Sequence, residues 1–311
     1  MAAKILVTGG AGYIGSVLVP ELLRQGYQVT VLDALLYRQS SLLDCCAHPE
    51  FTFIRGNICD TSLLRRLMPE FDIIIPLAAI VGAPACKANP ALTRLVNREA
   101  HLQMIELAAP AQRILFPTTN SGYGIGEKES FCTEDSPLRP VSEYGRMKVE
   151  VEKAFLDRGN AVTFRLATVF GMSSRMRLDL LVNDFVWRAV KDRFVILFEE
   201  HFRRNYIHIR DVAGAFVFGL DNFEKMAGQP YNVGLSSANL TKRQLCDQIK
   251  THLPDFYVQS APIGEDPDKR DYLVSNKKIE SLGWQPQYSL DMGIRELIKG
   301  YQILTPNPYA N

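Results

Sequence analysis

Long hydrophobic runs are absent from this sequence of 311 residues. No uninterrupted apolar stretch reaches the roughly 18 residues that a membrane-spanning helix needs, so we expect no contact with a membrane. The first four residues lack the charged and apolar regions of a secretory signal peptide. From both absences we expect a cytoplasmic protein.

An excess of charge of either sign is also missing, because 35 basic residues face 34 acidic ones. This balance gives no reason to expect a nucleic-acid partner. The six cysteines form no C-x-x-C pair, and no His/Cys cluster has the spacing of a zinc site. We therefore expect reduced cysteines that pack as small apolar residues, and no metal.

The first half of the chain alternates short runs of Ile and Val with amphipathic stretches. Hardly any alternation of polar and apolar residues occurs within the runs, which is typical of strands buried on both faces of a parallel sheet. Strand–helix alternation of this kind predicts a Rossmann-type, doubly wound α/β fold. The predicted strands are Lys4–Thr8, Gln28–Asp33, Phe51–Arg55, Asp72–Pro76, Ile114–Pro117 and Val162–Leu166, and the predicted helices are Gly12–Gln25, Pro90–Ala109 and Ser142–Arg158.

The character of the chain changes after Gly171. Helices near Leu178–Lys191 and Thr241–His252 are separated by loops rich in Arg, Asp and Pro, whereas Tyr206–Leu220 again looks like a strand and a helix of the first domain. We predict a Rossmann domain of residues 1–171 plus 205–235. Residues 172–204 plus 236–311 would form a smaller, discontinuous α/β lobe that binds the substrate.

Three glycines stand between the first predicted strand and the first helix. Gly9 permits a tight turn, Gly12 lets the backbone approach a pyrophosphate, and Gly15 lets the helix pack closely on the sheet. With Tyr13 and Ile14 they bring the N-terminus of the helix, which carries partial positive charge, to the phosphates. This placement predicts a dinucleotide site.

Asp33 ends the second predicted strand, about 20 residues after the glycines. A carboxylate there accepts hydrogen bonds from both ribose hydroxyls and repels the additional phosphate of NADP. Arg38 favours NADP, but Asp33 is better placed. We therefore predict NAD as the cofactor, and a Kd for NADP at or below that for NAD would contradict this.

Tyr144 and Lys148 form a Tyr-x-x-x-Lys motif at the start of a predicted helix, so both side chains share one face. A free tyrosine has a pKa near 10, and a neighbouring ammonium together with a positive nicotinamide would favour the phenolate. Tyr144 then acts as a general base towards an alcohol. Lys148 should also reach the nicotinamide ribose, and Thr119, after the fifth strand, should hydrogen-bond the reacting oxygen.

These residues together resemble the extended short-chain dehydrogenase/reductase superfamily of NAD-dependent nucleotide-sugar epimerases and dehydratases. The resemblance covers nearly the whole chain and includes the segments 165–171, 204–212 and 283–286. It implies that Asn57 and Ile58 lie at the adenine ring and that Thr168 replaces an asparagine at a phosphate contact. It also implies that Leu77, Ala78 and Ala79 line the nicotinamide side of the cofactor site, and that Asn97, which matches the asparagine of the family's long fourth helix, binds the cofactor.

Longer and more unusual segments resemble the bacterial GDP-heptose 4-dehydrogenases of capsule heptose pathways. These segments are 81–84, 120–128, 175–185 and 265–272. The resemblance implies oxidation at C4 of a GDP-linked manno-heptose to a ketone. Related sugar 4,6-dehydratases carry two carboxylates after the fifth strand, where this chain has Asn120 and Ser121, so we expect no elimination of water.

The substrate's diphosphate requires cations and N–H donors. Arg204 and Arg270 are the candidates by family position, and Arg177 and Asn183 are further candidates in the second lobe. Val81, Asn120 and Ser121 should border the sugar. Arg175, Arg177 and Arg203 have the equal alternative of solvated surface charges. Lys269 lies in the loops of the same lobe, and Glu199, Glu200 and His201 either contact the sugar or balance arginines.

The two long helices, 90–109 and 142–158, resemble the pair that forms a dimer interface in this superfamily, so we predict a homodimer. Leu92, Leu95 and Ile105 fit this interface and would equally fit a stripe facing the sheet. Three functions remain open at this point: net oxidation at C4, C4 epimerisation, and a non-catalytic sensor or RNA-binding relative. The last is disfavoured because Thr119, Tyr144 and Lys148 are all present.

Overall fold

The computed structural model describes residues 2–126, 130–261 and 270–305. Its strands are β1 Lys4–Thr8, β2 Gln28–Asp33, β3 Phe51–Arg55, β4 Ile73–Pro76, β5 Arg113–Thr119, β6 Phe131–Cys132, β7 Ala161–Leu166, β8 Thr168–Phe170, β9 Phe194–Leu197, β10 Arg203–His208, β11 Gln229–Val233, β12 Asn239–Thr241, β13 Tyr257–Ser260 and β14 Leu273–Val274.

The helices are α1 Gly15–Arg24, α2 Thr61–Leu67, α3 Ala83–Ala88, α4 Pro90–Arg94, α5 Ala100–Leu107, α6 Glu143–Arg158, α7 Leu181–Lys191, α8 Ile209–Asp221, α9 Phe223–Met226, α10 Lys242–His252, α11 Lys277–Ser281 and α12 Leu290–Ile303. A π-helical turn, Leu95–Glu99, joins α4 to α5. The predicted helix 90–109 is therefore present with a π-helical turn in its middle.

Seven parallel strands form the central sheet in the order β11-β7-β5-β4-β1-β2-β3. In its register, Ile5 of β1 lies between Val29 of β2 and Ile73 of β4. The chain order reverses between β1 and β4, and ligands of such sheets bind in the crevice at the carboxyl ends of the strands on either side of the reversal. The Rossmann-type fold predicted from the sequence is confirmed.

Apolar side chains cover both faces of this sheet. One core, which includes Leu18 and Phe216, packs α1 and α8 on one face and continues among α7, α10 and α12. The other core, which includes Leu64 and Phe155, lies under α2, α5 and α6. Burial on both faces explains why the strand sequences are almost uniformly apolar.

Among the described residues, three small sheets lie outside the central one, with the pairings β8-β10-β12, β9-β13 and β6-β14. Within Tyr206–Leu220, α8 packs against α1, whereas β10 pairs with β8 and β12 instead of joining the central sheet. The assignment of this segment to the first domain stays a prediction. The strand that completes the central sheet is β11. The two-domain division stays a prediction.

Candidate active site

The turn after β1 leaves no room for side chains at two of its glycines. Gly9 has a φ of 69°, and a Cβ there would lie 2.5 Å from the Cα of Ala78. A Cβ on Gly15 would lie 2.2 Å from the carbonyl oxygen of Gly10. Only glycine permits such close approach. The turn thereby holds the start of α1 at the sheet edge, where its backbone N–H groups suit a diphosphate such as that of NAD.

Asp33, at the end of β2, connects two backbone segments of this edge. Its Oδ2 accepts a hydrogen bond from the N–H of Ala11 (3.0 Å), and its Oδ1 accepts one from the N–H of Leu35 (2.8 Å). Burial raises the pKa of the carboxyl, and these N–H donors and the charge of Arg175 oppose the rise. Asp33 lies beside the glycine turn, as a ribose ligand must. Arg38, the residue that favoured NADP, is exposed.

Asn97 positions the loop after β4. Its Oδ1 accepts from the N–H of Ile80, and its Nδ2 donates to the Ile80 carbonyl oxygen, both at 2.8 Å. The side chain is fully buried in the π-helical turn. Asn97 therefore acts on the predicted nicotinamide side through this loop, which carries Leu77, Ala78 and Ala79. A direct contact between Asn97 and the cofactor stays a prediction.

Asn57 and Ile58 follow β3 at the same edge. Ile58 is buried in the core under α2 and α5, and Asn57 is exposed and accepts a hydrogen bond from the N–H of Cys59 (2.9 Å). An exposed amide and a buried apolar side chain are consistent with the border of an adenine pocket. Their contact with the cofactor was inferred from family position and stays a prediction.

The phenol of Tyr13 lies between the glycine turn and the segment after β8. The hydroxyl donates to the carbonyl oxygen of Gly171 (2.8 Å) and accepts from Nδ2 of Asn183 (3.1 Å). Burial raises the pKa of the phenol, so it remains protonated. The hydroxyl of Tyr13 is therefore engaged within the protein, and a contact between Tyr13 and the cofactor stays a prediction. Ile14, the next residue, precedes α1 as its N-cap.

Asn183 was predicted to bind the substrate, and the structure buries it fully. Its Oδ1 accepts from the N–H of Gly171 (3.1 Å), and its Nδ2 also donates to the carbonyl oxygen of Arg177 (2.9 Å). With its bond to Tyr13, the amide uses both N–H donors inside the protein. A contact with the substrate would have to replace one of these bonds or use the remaining acceptor capacity of Oδ1.

Tyr144 and Lys148 lie one turn apart near the start of α6, which Ser142 caps by accepting from the N–H of Gly145 (3.1 Å). Lys148 is buried, and its Nζ donates to the carbonyl oxygen of Pro117 (3.1 Å) and lies 4.5 Å from the ring centroid of Phe116. Burial lowers the pKa of Lys148 to about 8. The structure thus places this amine beneath β5, next to the turn that carries Thr119.

The phenol of Tyr144 behaves differently from our expectation. Burial raises its pKa to about 12, and the charges of Arg177 and Arg270 oppose the rise. We expected Lys148 to lower this pKa. The charges that lower it are instead those of Arg177 and Arg270, which come from the second half of the chain.

The turn after β5 combines hydroxyl, amide and guanidinium groups. Thr119 Oγ1 lies 2.9 Å from Ser121 Oγ and also accepts from the N–H of Ser121 (3.1 Å). Nη1 of Arg270 donates to Ser121 Oγ. Asn120 is 1% exposed, and neither atom of its amide group has a hydrogen-bond partner in the described chain. A buried amide without partners is costly, so a ligand hydroxyl at this point would be favourable.

Arg177 lies across the site from this turn. Its guanidinium pairs with Asp179 (2.5 Å), and a Cβ on Gly82 would lie 3.1 Å from Oδ2 of Asp179. The pair therefore borders the loop containing Val81. The structure thus brings Val81, Arg177, Arg270 and the turn after β5 to one region, and their contact with a substrate stays a prediction.

Arg204 is buried on β10, donates from Nη1 to the carbonyl oxygen of Arg203 (3.0 Å) and lies 5.7 Å from the ring centroid of Tyr272. Thr168 lies in the neighbouring strand β8 and is half-buried. It is paired with Tyr206, which lies two residues after Arg204 on β10. Both positions are compatible with a substrate phosphate, and both contacts stay predictions.

Other predicted polar residues make structural ion pairs. Arg203 is bonded to Asp271 (3.1 Å), and Glu200 lies 3.7 Å from Arg243. The second pair favours charge balance as the role of Glu200. Lys269, and parts of the segments 120–128 and 265–272, lie outside the described residues.

Two further residues near the site are buried. For Arg175 the sequence left a solvated surface charge as an equal alternative, and His101 was not singled out from the sequence. Arg175 is 6% exposed instead of solvated, with its guanidinium 4.7 Å from the ring centroid of Tyr37. His101 is fully buried with its ring 5.4 Å from that of Phe116, and burial lowers its pKa to about 3. A lone histidine in an apolar helix carries no sequence signal that separates it from ordinary core.

Across the described ranges, no helix combines the length and the apolar character needed to cross a membrane. In the same ranges, no three His, Cys, Asp or Glu side chains are grouped so that they could hold a metal ion.

Comparison with known families gives a match to the model described as "NAD dependent epimerase/dehydratase family" over residues 5–234. The chain belongs to this family. It is accordingly an NAD-dependent enzyme of the epimerase/dehydratase type, and the glycine turn and Asp33 of this structure fit the cofactor. The match spans the whole central sheet and ends just after β11.

Individual relatives of the family agree with this assignment. The chain is 28% identical to the UDP-glucose 4-epimerase of Lactobacillus helveticus, with 92% of each chain covered. The crystal structure of the Thermus thermophilus UDP-glucose 4-epimerase with NAD has a TM-score of 0.80 at 25% identity and covers 96% of this chain and 99% of that one. The structure of dTDP-glucose 4,6-dehydratase from Bacillus anthracis with NAD has a TM-score of 0.81 at 25% identity, with 97% of each covered.

Proposed function

We propose that this enzyme oxidises the C4 hydroxyl of a GDP-linked manno-heptose to the 4-keto sugar. One observation carries the reaction type: Thr119, Tyr144 and Lys148 gather at the end of β5 and the start of α6, while an amide and a hydroxyl occupy the positions where elimination needs carboxylates. Neither Asn120 nor Ser121 is a good general acid at neutral pH. This arrangement supports oxidation without loss of water.

Each catalytic residue has one task in the proposed reaction. Thr119 holds the C4 oxygen through its hydroxyl, and Tyr144 accepts the proton of the alcohol. Lys148 places a positive charge beneath the turn, which favours the phenolate and orients the nicotinamide ribose. When bound, NAD supplies the hydride acceptor and a positive ring beside the phenol. Some second oxidant must restore NAD after net oxidation.

A nucleotide sugar is the substrate class that the relatives support, because their names specify UDP- and dTDP-linked sugars. Arg204 and Arg270 are the proposed ligands of the diphosphate, and Arg177 and Asn183 border the same region. The GDP-heptose itself rests on the resemblance of the segments 81–84, 120–128, 175–185 and 265–272. We also place the protein in the cytoplasm as a homodimer.

Asn120 is the residue that we propose recognises the sugar by hydrogen bonding. Its amide offers two donors and one acceptor group, all buried and without a partner in the described chain. A hydroxyl near C4 both donates and accepts and would satisfy the amide. Asn120→Ala should therefore raise KM for the sugar more than it lowers kcat, and an unchanged KM would remove Asn120 from the substrate site.

C4 epimerisation is the second candidate function, because it uses the same three residues and because relatives include UDP-glucose 4-epimerases. The two differ in outcome. An epimerase returns the hydrogen to the opposite face of C4, so no NADH accumulates.

The deciding experiment mixes NAD-loaded protein with GDP-manno-heptose and follows nicotinamide absorbance together with the sugar product by mass spectrometry and NMR. Lasting NADH with a C4 ketone supports the proposal. An inverted C4 without net NADH establishes the epimerase, and no change in the sugar removes the substrate assignment. Tyr144→Phe should keep NAD binding and lose roughly 10²–10⁴-fold in rate.

A further inference from the structure

Residues Ser173–Asp179, which we call the strap, run across the carboxyl end of β1. At one end, Ser173 Oγ lies 2.5 Å from Ser16 Oγ and donates to the carbonyl oxygen of Tyr13 (3.0 Å). At the other end, Asp179 lies against Gly82 in the region after β4. Because β4, β1 and β2 are neighbours in the sheet, the strap passes over the glycine turn.

Arg175 lies on the β2 side of this turn. Its guanidinium stacks 4.7 Å from the ring centroid of Tyr37, in the loop after β2, and its Nη1 donates to the carbonyl oxygen of Met176 (2.6 Å). The side chain is 6% exposed. Its charge also reaches the carboxyl of Asp33, where it opposes the rise in pKa that burial causes. Arg175 therefore lies at the adenosine side of the cleft.

Arg177 lies on the opposite side of the turn, two residues further along the strap. It pairs with Asp179, and its carbonyl oxygen is held by Asn183 (2.9 Å). The two guanidinium groups thus lie on opposite sides of the glycine turn. That of Arg175 lies on the adenosine side, and that of Arg177 lies on the predicted nicotinamide side. A diphosphate bound at the start of α1 would lie between them.

We propose that Arg175 is a cofactor-binding residue, carried by the strap, whose guanidinium contacts the diphosphate of NAD and slows release of the dinucleotide. The planar fork of arginine matches phosphate oxygens, and stacking on Tyr37 fixes the plane of that fork. The strap belongs to the segment that we assigned to the substrate lobe, so the cofactor would be held from both lobes. The proposal rests on NAD dependence and is independent of the sugar.

The test uses full-length protein freed of bound nucleotide. Isothermal titration gives the Kd for NAD and for adenosine, and stopped-flow fluorescence gives the rate at which excess NAD displaces NADH. Arg175→Met should weaken NAD binding roughly 10- to 100-fold and speed the release of NADH. Adenosine binding should hardly change, because adenosine carries no phosphate.

Two further variants distinguish binding from folding. Arg175→Lys keeps the positive charge and should recover part of the NAD affinity, whereas Arg188→Met removes an arginine of α7 that pairs with Asp184 and should change nothing. If Arg175→Met unfolds at lower temperature but binds and releases the dinucleotide normally, its role is structural and the proposal is wrong. Equal losses for adenosine and NAD would also overturn it, since the diphosphate would then not be the group contacted.

Discussion

Lys148 is buried as an amine whose pKa lies near 8, against about 10.4 for a free lysine. The unfolded chain therefore binds more protons than the folded one between these two values, and the stability of the fold rises with pH across that window. Below pH 8 the buried ammonium destabilises the fold by roughly 3 kcal/mol.

Lys148→Met is accordingly expected to abolish activity and to raise the free energy of unfolding at pH 7 by about 1–3 kcal/mol. The gain is smaller than the full shift implies, because the bond to Pro117 is lost as well. Urea denaturation at pH 7 and pH 10 measures the gain in the free energy of unfolding. It also shows whether the dependence of that free energy on pH disappears in the variant. A variant less stable than wild type at pH 7, with the same pH dependence, would show that the ammonium is well accommodated.

Arg177 is the first of the charges that hold down the pKa of Tyr144. The base works as a phenolate, so kcat rises as pH increases through this pKa. Arg177→Met removes a positive charge and should move the rise in kcat to higher pH. A pH profile of kcat at saturating sugar measures the shift, with Arg188→Met as the control. A profile that keeps its position while only KM increases would assign Arg177 to substrate binding alone.

Local motifs made part of the site predictable. The glycine turn and the Tyr144–Lys148 pair depend on spacings of a few residues, which the sequence displays directly. The stacking of Arg175 on Tyr37 and the proximity of Ser173 to Ser16 join positions far apart in the chain. No periodicity predicts such contacts, and for this reason Arg175 could equally be interpreted as a surface charge.

At the scale of the element, the six predicted strands appear within two residues of their expected ends. Continuous runs of Ile, Val and Leu made them recognisable. β11 was missed because Gln229–Val233 contains a proline and few apolar residues, a composition tolerated at the edge of a sheet. The π-helical turn within the predicted helix 90–109 was not predicted from the sequence.

The exposed surface of the π-helical turn Leu95–Glu99 belongs to the predicted dimer interface. Leu92 and Ile105 pack against the core, whereas Leu95 is 44% exposed, next to the ion pair between Arg98 and Glu150 of α6. An exposed leucine on the predicted interface should become buried when two subunits associate.

Leu95→Glu is therefore expected to shift the protein from dimer to monomer, because it would bury an unpaired carboxylate. Light scattering after size-exclusion chromatography measures the mass. Leu282→Glu, at an exposed leucine far along the chain, is the matched control and should stay dimeric. A wild-type protein of monomeric mass would rule the dimer out.

At the scale of the whole molecule, the bonds from Tyr13 to Gly171 and from Ser16 to Ser173 connect the glycine turn with the chain beyond β8. Both tryptophans, Trp187 of α7 and Trp284, lie outside the central sheet. Their emission therefore reports on the surroundings of α7 and of the segment between α11 and α12.

NAD at 100 times its Kd should raise the free energy of unfolding by about 2.7 kcal/mol. Tryptophan emission and far-ultraviolet circular dichroism should then show the same higher midpoint, because the connecting bonds make unfolding a single transition. A midpoint that rises by circular dichroism but not by tryptophan emission would mean that the two parts unfold separately.

The sheet order also has a consequence during synthesis on the ribosome. β7, buried along its whole length in the finished protein, pairs with β5 as soon as it emerges, but its other edge waits for β11, roughly 60 residues later. At 5–20 residues per second this edge stays open for about 3–12 s, long enough to pair with a neighbouring nascent chain. The hydroxyl of Tyr123, beside the catalytic turn, also meets Asn232 of β11 only then. A nascent chain stalled before residue 229 should therefore aggregate more readily than the finished protein.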